Sequence, residues 1–117
     1  MILVDTSVWV DHLRADDPAL RGLLQAGLVL MHPFVLGEIA LGQLRQRATV
    51  LAALGNLSRT AVATEAEVMR LIEAEGLAGA GIGYLDAHLL ATARLSAAKL
   101  FTRDRRLAAA AARLAVA

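Results

Sequence analysis

The chain has 117 residues, enough for one domain with a hydrophobic core of its own, and no linker divides it. It has no cysteine, which excludes disulfides and thiolate metal sites, and a net charge of +1 that does not mark the whole molecule as a nucleic-acid binder. Mean hydropathy is +0.55 and 57% of residues are apolar, yet no apolar stretch reaches the ~18–20 residues that cross a bilayer.

An apolar surplus of this size predicts a patch that meets a partner or a second copy. The first residues lack the basic, apolar and small-residue order of a signal peptide. With no cysteine, that reads as a cytoplasmic protein.

Ile2, Leu3 and Val4 suit a strand buried on both faces of a parallel sheet. Asp5 then stands at the carboxyl end of a central strand, where open α/β sheets bind ligands. The plain alternative is that Asp5 or Thr6 caps the helix that follows. Asp16-Asp17-Pro18 starts a second helix through Leu20, Leu23 and Leu24, ending at Gly27. Leu28–Met31 is a second apolar strand. His32-Pro33 opens the helix PFVLGEIALGQLR, and Gln46–Leu54 continues as helix after a break.

Arg59–Ala63 reads as a weak third strand. Thr64-Glu65-Ala66-Glu67 has the form of a capping box, followed by an inner face of Val68, Leu71 and Ile72. The glycine-rich stretch Gly76–Gly83 is a flexible connector, because a phosphate-cradling loop would follow a strand and this one follows a helix. Tyr84–Ala98 is helical, Lys99–Thr102 is a fourth strand, and Asp104–Ala115 is an alanine-rich helix. Strands alternating with helices predict an α/β fold with a parallel sheet covered on both sides.

Four acids lie in apolar company. Glu38 has Phe34, Val35, Leu41 and Gly42 as helical neighbours and is expected to face the core. Asp86, among Ile82, Gly83, Leu89 and Leu90, repeats the situation. A carboxylate on an inward face costs several kcal/mol unless a cation or hydrogen bonds compensate it, and Arg45 or Arg94 is available as a buried partner. Asp104 follows a strand as Asp5 does, and carboxyl ends of parallel strands share one edge. Four carboxylates on one rim are hard oxygen ligands for Mg²⁺ or Mn²⁺, which would serve the cleavage of a phosphodiester. Thr6, Ser7 and Thr102 carry hydroxyls beside these acids, suited to orienting a water or phosphate oxygen or to capping helices. From Tyr84 onward Arg94, Lys99, Arg103, Arg105, Arg106 and Arg113 outnumber Asp86 and Asp104. This is either a phosphate-binding surface or a set of solvated helix faces. Aromatics are 3% of the chain, so RNA recognition would rest on phosphate and shape, with Arg103, Arg105 and Arg106 as candidates.

Together VDTSVW, the glutamate of FVLGEIALG, the aspartate of GYLDAHLLATA and LFTRDRRL resemble the PIN-domain nucleases, and within them a VapC-type toxin. The likeness runs from Met1 to about Leu107, with the motifs in the family's order. It implies a three-layer α/β/α domain over residues 1–117, with the first strand central in a four-stranded parallel sheet. A fifth strand at Leu114–Ala117 is absent or reduced. It further implies metal ligands at Asp5, Glu38, Asp86 and Asp104, a supporting hydroxyl at Thr102, and Mg²⁺- or Mn²⁺-dependent cleavage of RNA. A homodimer and inhibition by a cognate antitoxin complete the expectation. The antitoxin would lay an apolar helix along the early helices and extend a basic side chain toward the acids.

Other readings remain at this point. His12, His32 and His88 would serve a metal-independent ribonuclease. A phosphoaspartate enzyme would want an aspartate where Ser7 stands. A PIN-like domain that binds RNA or protein without cutting, and an RNA-processing nuclease that is not a toxin, are the remaining alternatives.

Overall fold

The computed structural model describes residues 1–117. Its elements in chain order are β1 (Ile2–Val4), α1 (Thr6–Arg14), α2 (Pro18–Gln25), β2 (Val29–Met31), α3 (Pro33–Leu41), α4 (Arg47–Gly55), β3 (Ser58–Arg59), α5 (Glu65–Ala74), α6 (Tyr84–Leu95), β4 (Lys99–Phe101) and α7 (Arg105–Arg113). The four strands are all parallel in the order β3-β2-β1-β4. β1 is therefore interior, as its unbroken apolar run requires, and Leu3 and Val4 have no exposed surface.

From β1 the chain builds outward through β2 to β3, then returns to place β4 on the other side of β1. The winding direction reverses between β1 and β4, and a crevice at that switch point lies beyond their carboxyl ends. Val4 pairs with Phe101, so Asp5 and Thr102 leave the sheet side by side.

α1 packs on α2 and α3, and α3 on α4; α5 packs on α6, while α6 and α7 both meet β4. The result is the three-layer α/β/α arrangement. One continuous core joins Leu3, Val8, Trp9, Met31, Leu90, Leu100 and Leu107. In α6 every residue from Ala87 to Ala93 is buried, which the small side chains at 87, 91 and 93 permit.

Three boundaries differ from the sequence reading. β3 is only Ser58–Arg59, because the ladder ends where Thr60 N donates to Met31 O. α6 stops at Leu95, where Ala97 takes a positive φ of 50° and Ala98 N reaches back to Ala93 O. No fifth strand forms. α7 ends in a turn with Ala115 at φ 60°, and Val116 O accepts one bond, 2.6 Å, from Leu100 N at the edge of β4. Leu114 and Val116 close over the core instead.

Candidate active site

Asp5 caps α1 and is 6% exposed, in a protein whose ion pairs leave it without a cation. Its Oδ2 accepts from Ser7 Oγ at 2.7 Å, from Thr102 Oγ1 at 2.8 Å and, more weakly, from Ser7 N at 3.4 Å. Both hydroxyls also receive a bond from the loop after β4: Arg103 N donates to Ser7 Oγ and Asp104 N to Thr102 Oγ1, each at 3.1 Å. The start of α1 and the start of α7 are thus stitched together around one carboxylate oxygen.

Asp104 caps α7 by accepting from Leu107 N at 2.9 Å through Oδ1. Asp86, half-buried at the mouth of α6, accepts from Gly83 N at 3.0 Å through Oδ2. Its pKa is raised, first by burial and then by the charges of Asp5 and Asp104, with the Gly83 bond opposing. Three acids from three segments therefore share one electrostatic neighbourhood.

Glu38 departs from expectation. It is exposed, because α3 buries Val35 and Ile39, and a residue next to Ile39 is turned about 100° off that face. The helix is apolar nearly all round, and Leu41, 89% exposed, lies on its open side. Neither Arg45 nor Arg94 pairs with Glu38 or Asp86; Arg94 pairs with Glu75. Glu38 joins the site through Thr6, whose Oγ1 donates to Glu38 Oε1 at 2.9 Å.

Each of the four carboxylates has one oxygen bonded to the protein and the other without a protein partner. Asp5, Asp86 and Asp104 bring only hard oxygens, the donor type that divalent cations take, and no side-chain cation pairs with them. No three acidic or histidine side chains stand as a ready-made metal cage. The cap role and the ligand role of Asp5 and Asp104 are compatible, since capping engages a single oxygen.

The PIN-domain family profile matches residues 2–113. Ribonuclease VapC32 of Mycobacterium tuberculosis, from strains CDC 1551 / Oshkosh and ATCC 25618 / H37Rv, is 49% identical over 118 residues, covering all of this chain and 95% of each relative. This chain is a PIN-domain protein of the VapC type. The crystal structure of PAE2754 from Pyrobaculum aerophilum shares the fold, with a TM-score of 0.64 at 19% identity over 99% of this chain and 96% of that one.

In this PIN domain the arginines after β4 separate into two groups. Arg103, read from the sequence as a phosphate contact, is tied to Asp17 at 2.5 Å and Asp11 at 3.0 Å, and its guanidinium lies over the Phe101 ring. Asp17 also caps α2 through Leu20 N. This bridge fastens the Thr102–Asp104 loop to α1 and α2. Its local sequence shows only a helix cap, and residues 17 and 103 give no nearby pattern that would join them. Arg105 and Arg106 are exposed. The three histidines have structural settings: His12 Nδ1 accepts from Asp17 N, His32 is fully enclosed, and His88 packs edge-on against Phe34 and Tyr84. No helix is long and apolar enough to cross a membrane.

Proposed function

We propose that this PIN domain is a metal-dependent endoribonuclease, the toxin of a cytoplasmic toxin–antitoxin pair, working as a homodimer. The observation that carries the reading is the uncompensated carboxylate group at the β1/β4 switch point. The likeness to Ribonuclease VapC32 supports RNA as the substrate.

Asp5, Asp86 and Asp104 would hold Mg²⁺ or Mn²⁺, with Glu38 at the outer edge. When bound, such an ion supplies Lewis acidity toward water and charge stabilisation for a phosphodiester. Ser7 and Thr102 fix the rotamer of Asp5 by occupying Oδ2, which leaves Oδ1 as the ligand oxygen. Asp104 is aimed in the same way by Leu107 N, and Asp86 by Gly83 N. Thr6 steers Glu38 by engaging Oε1, which leaves Oε2 as the oxygen that would accept a proton from water. In this account the chain contributes pre-oriented acceptors, and the raised pKa of Asp86 makes its hold on the ion weaken as pH falls.

The test is cleavage of RNA by the purified protein. Activity is expected with Mg²⁺ or Mn²⁺, loss in excess EDTA, and loss in Asp5→Asn, because asparagine keeps the helix cap and removes the ligand charge. An asparagine variant that cuts as fast as wild type, or cutting that survives EDTA, overturns the reading.

A groove of 660 Å³, lined by Val10, Leu13, Ile39, Leu44 and Val50 on one part and by Arg14, Glu38 and Arg45 on the other, would seat the antitoxin. An apolar antitoxin helix would lie on the Val10–Leu13–Ile39 side, with a basic side chain directed at Glu38. An antitoxin fragment lacking its DNA-binding half should still inhibit; loss of inhibition on that truncation counts against this seat. Exposed Met69 and Leu95 on α5 and α6 are apolar surface for the second protomer.

A further inference from the structure

We infer that Arg105, Arg106 and Arg113 of α7, set over the glycine-rich loop 76–83, form a groove that grips phosphates of the RNA strand adjoining the acidic site. The inference rests on the reading of the substrate as RNA. It moves the phosphate contact away from Arg103 and onto a built surface.

The groove has a volume of 510 Å³, and besides the three arginines only Ala80, Ala109 and Ala110 line it. Methyl-sized side chains leave its floor open. All three guanidinium groups lack an acidic partner, since the ion pairs of the protein engage Arg21, Arg94, Arg103 and His12. Glu75, near Arg113, has its carboxylate bound to Arg94 at 2.7 Å.

One of the three cations is tied to backbone, and a second packs closely against it. Arg113 donates to Glu75 O at 3.2 Å. Arg106 runs against Gly81, where a Cβ would stand 2.7 Å from its Cδ and 2.8 Å from its Nη1. Gly81 also has φ +77°, so a glycine here serves both the turn and the close approach. A merely solvated arginine face requires neither of these arrangements.

Arg105 and Arg106 occupy the first turn of α7, which contains no acid. Cations at that end oppose the helix dipole, so helix stability does not account for them. An anion between them is favoured by the same dipole. Arg106 and Arg113 are seven residues apart on one face, about 10 Å along the axis, so a strand following α7 meets one after the other.

Continuity with the acids fixes the occupant. Asp104 caps the helix whose next two residues are Arg105 and Arg106. A strand with one phosphate at Asp104 therefore presents a neighbouring phosphate to the groove. The guanidinium fork matches phosphate oxygens. With no aromatic in the lining, the contact is to backbone and tolerates any base.

The test measures binding of a fluorescent single-stranded oligoribonucleotide of mixed sequence to the full chain in EDTA, across a salt series. Arg106→Gln and Arg113→Gln should each lower the slope of log affinity against log salt by about 0.7, and the triple glutamine variant by about 2. Arg106→Lys should keep the slope, and Arg21→Gln, remote from the groove, should match wild type. Melting curves check that each variant is folded. Cleavage by the triple variant should show a raised KM with kcat retained. An unchanged slope in the triple variant overturns the groove even if RNA is cut. An unchanged slope together with lost inhibition by the antitoxin makes the groove a protein-docking face and equally overturns it. A wild-type protein that never cuts RNA but shows the slope changes removes the proposed function and leaves the groove standing.

Discussion

Thr102 Oγ1 donates to Asp5 Oδ2 at 2.8 Å across 97 positions of sequence, and accepts from Asp104 N at 3.1 Å. One hydroxyl thus couples two of the proposed ligands. Thr102→Val removes the donor to a buried carboxylate and strands the Asp104 amide. A loss of about 1–3 kcal/mol in urea unfolding is expected, with a matching loss of RNA cleavage. Thr102→Ser restores both bonds and should recover most of each.

Asp86 is half-buried beside two other acids, so its ionised form works against the fold when no cation is bound. Its raised pKa means stability declines as pH rises through that value. In EDTA at neutral pH, Asp86→Asn should be more stable than wild type by up to about 1 kcal/mol, a small gain because solvent screens part of the charge. With Mn²⁺ present the order should reverse, since only wild type is stabilised by the ion. Paired urea titrations read both outcomes.

His32 is enclosed at the N-terminus of α3, where its Nδ1 accepts from Phe34 N. Burial, aided by His88, holds its pKa near about 4 against an ordinary 6.5. Between those values the unfolded chain takes up a proton that the folded chain refuses. Stability should therefore fall as pH drops from 6.5 toward 4, by at most about 1.4 kcal/mol per pH unit from this group. His32→Asn keeps a capping side chain and should flatten that part of the pH–stability curve.

Asp17 behaves in the opposite sense. The hydrogen bond from Arg103, then that from Leu20 N, lowers its pKa from 3.8 to about 2. The stability it contributes is complete above pH 3.8 and disappears as pH falls through about 2. Arg103→Gln should be less stable than wild type at neutral pH, and acid titration should narrow that gap between pH 3.8 and about 2.

The residues that proved legible are those whose neighbours in sequence are also their neighbours in space. Ile2–Val4 followed by Asp5 has the form of an interior strand ending at a site, and Thr64–Glu67 forms the capping box its spacing implies. Glu38 misled because α3 is apolar on most sides, so periodicity does not choose its buried face. β3, at Ser58–Arg59, is not legible because a two-residue edge strand has too little pattern to set its register. Arg103 with Asp17, and Arg106 on Gly81, depend on loops meeting across the fold. No local motif encodes such meetings.

Calorimetric titration of Mn²⁺ into wild type and the three single asparagine variants tests most directly whether Asp5, Asp86 and Asp104 act as one site for a divalent ion. A binding isotherm in wild type that each substitution alone abolishes or sharply weakens is the predicted result. Undiminished Mn²⁺ binding in any one of the three variants would contradict it.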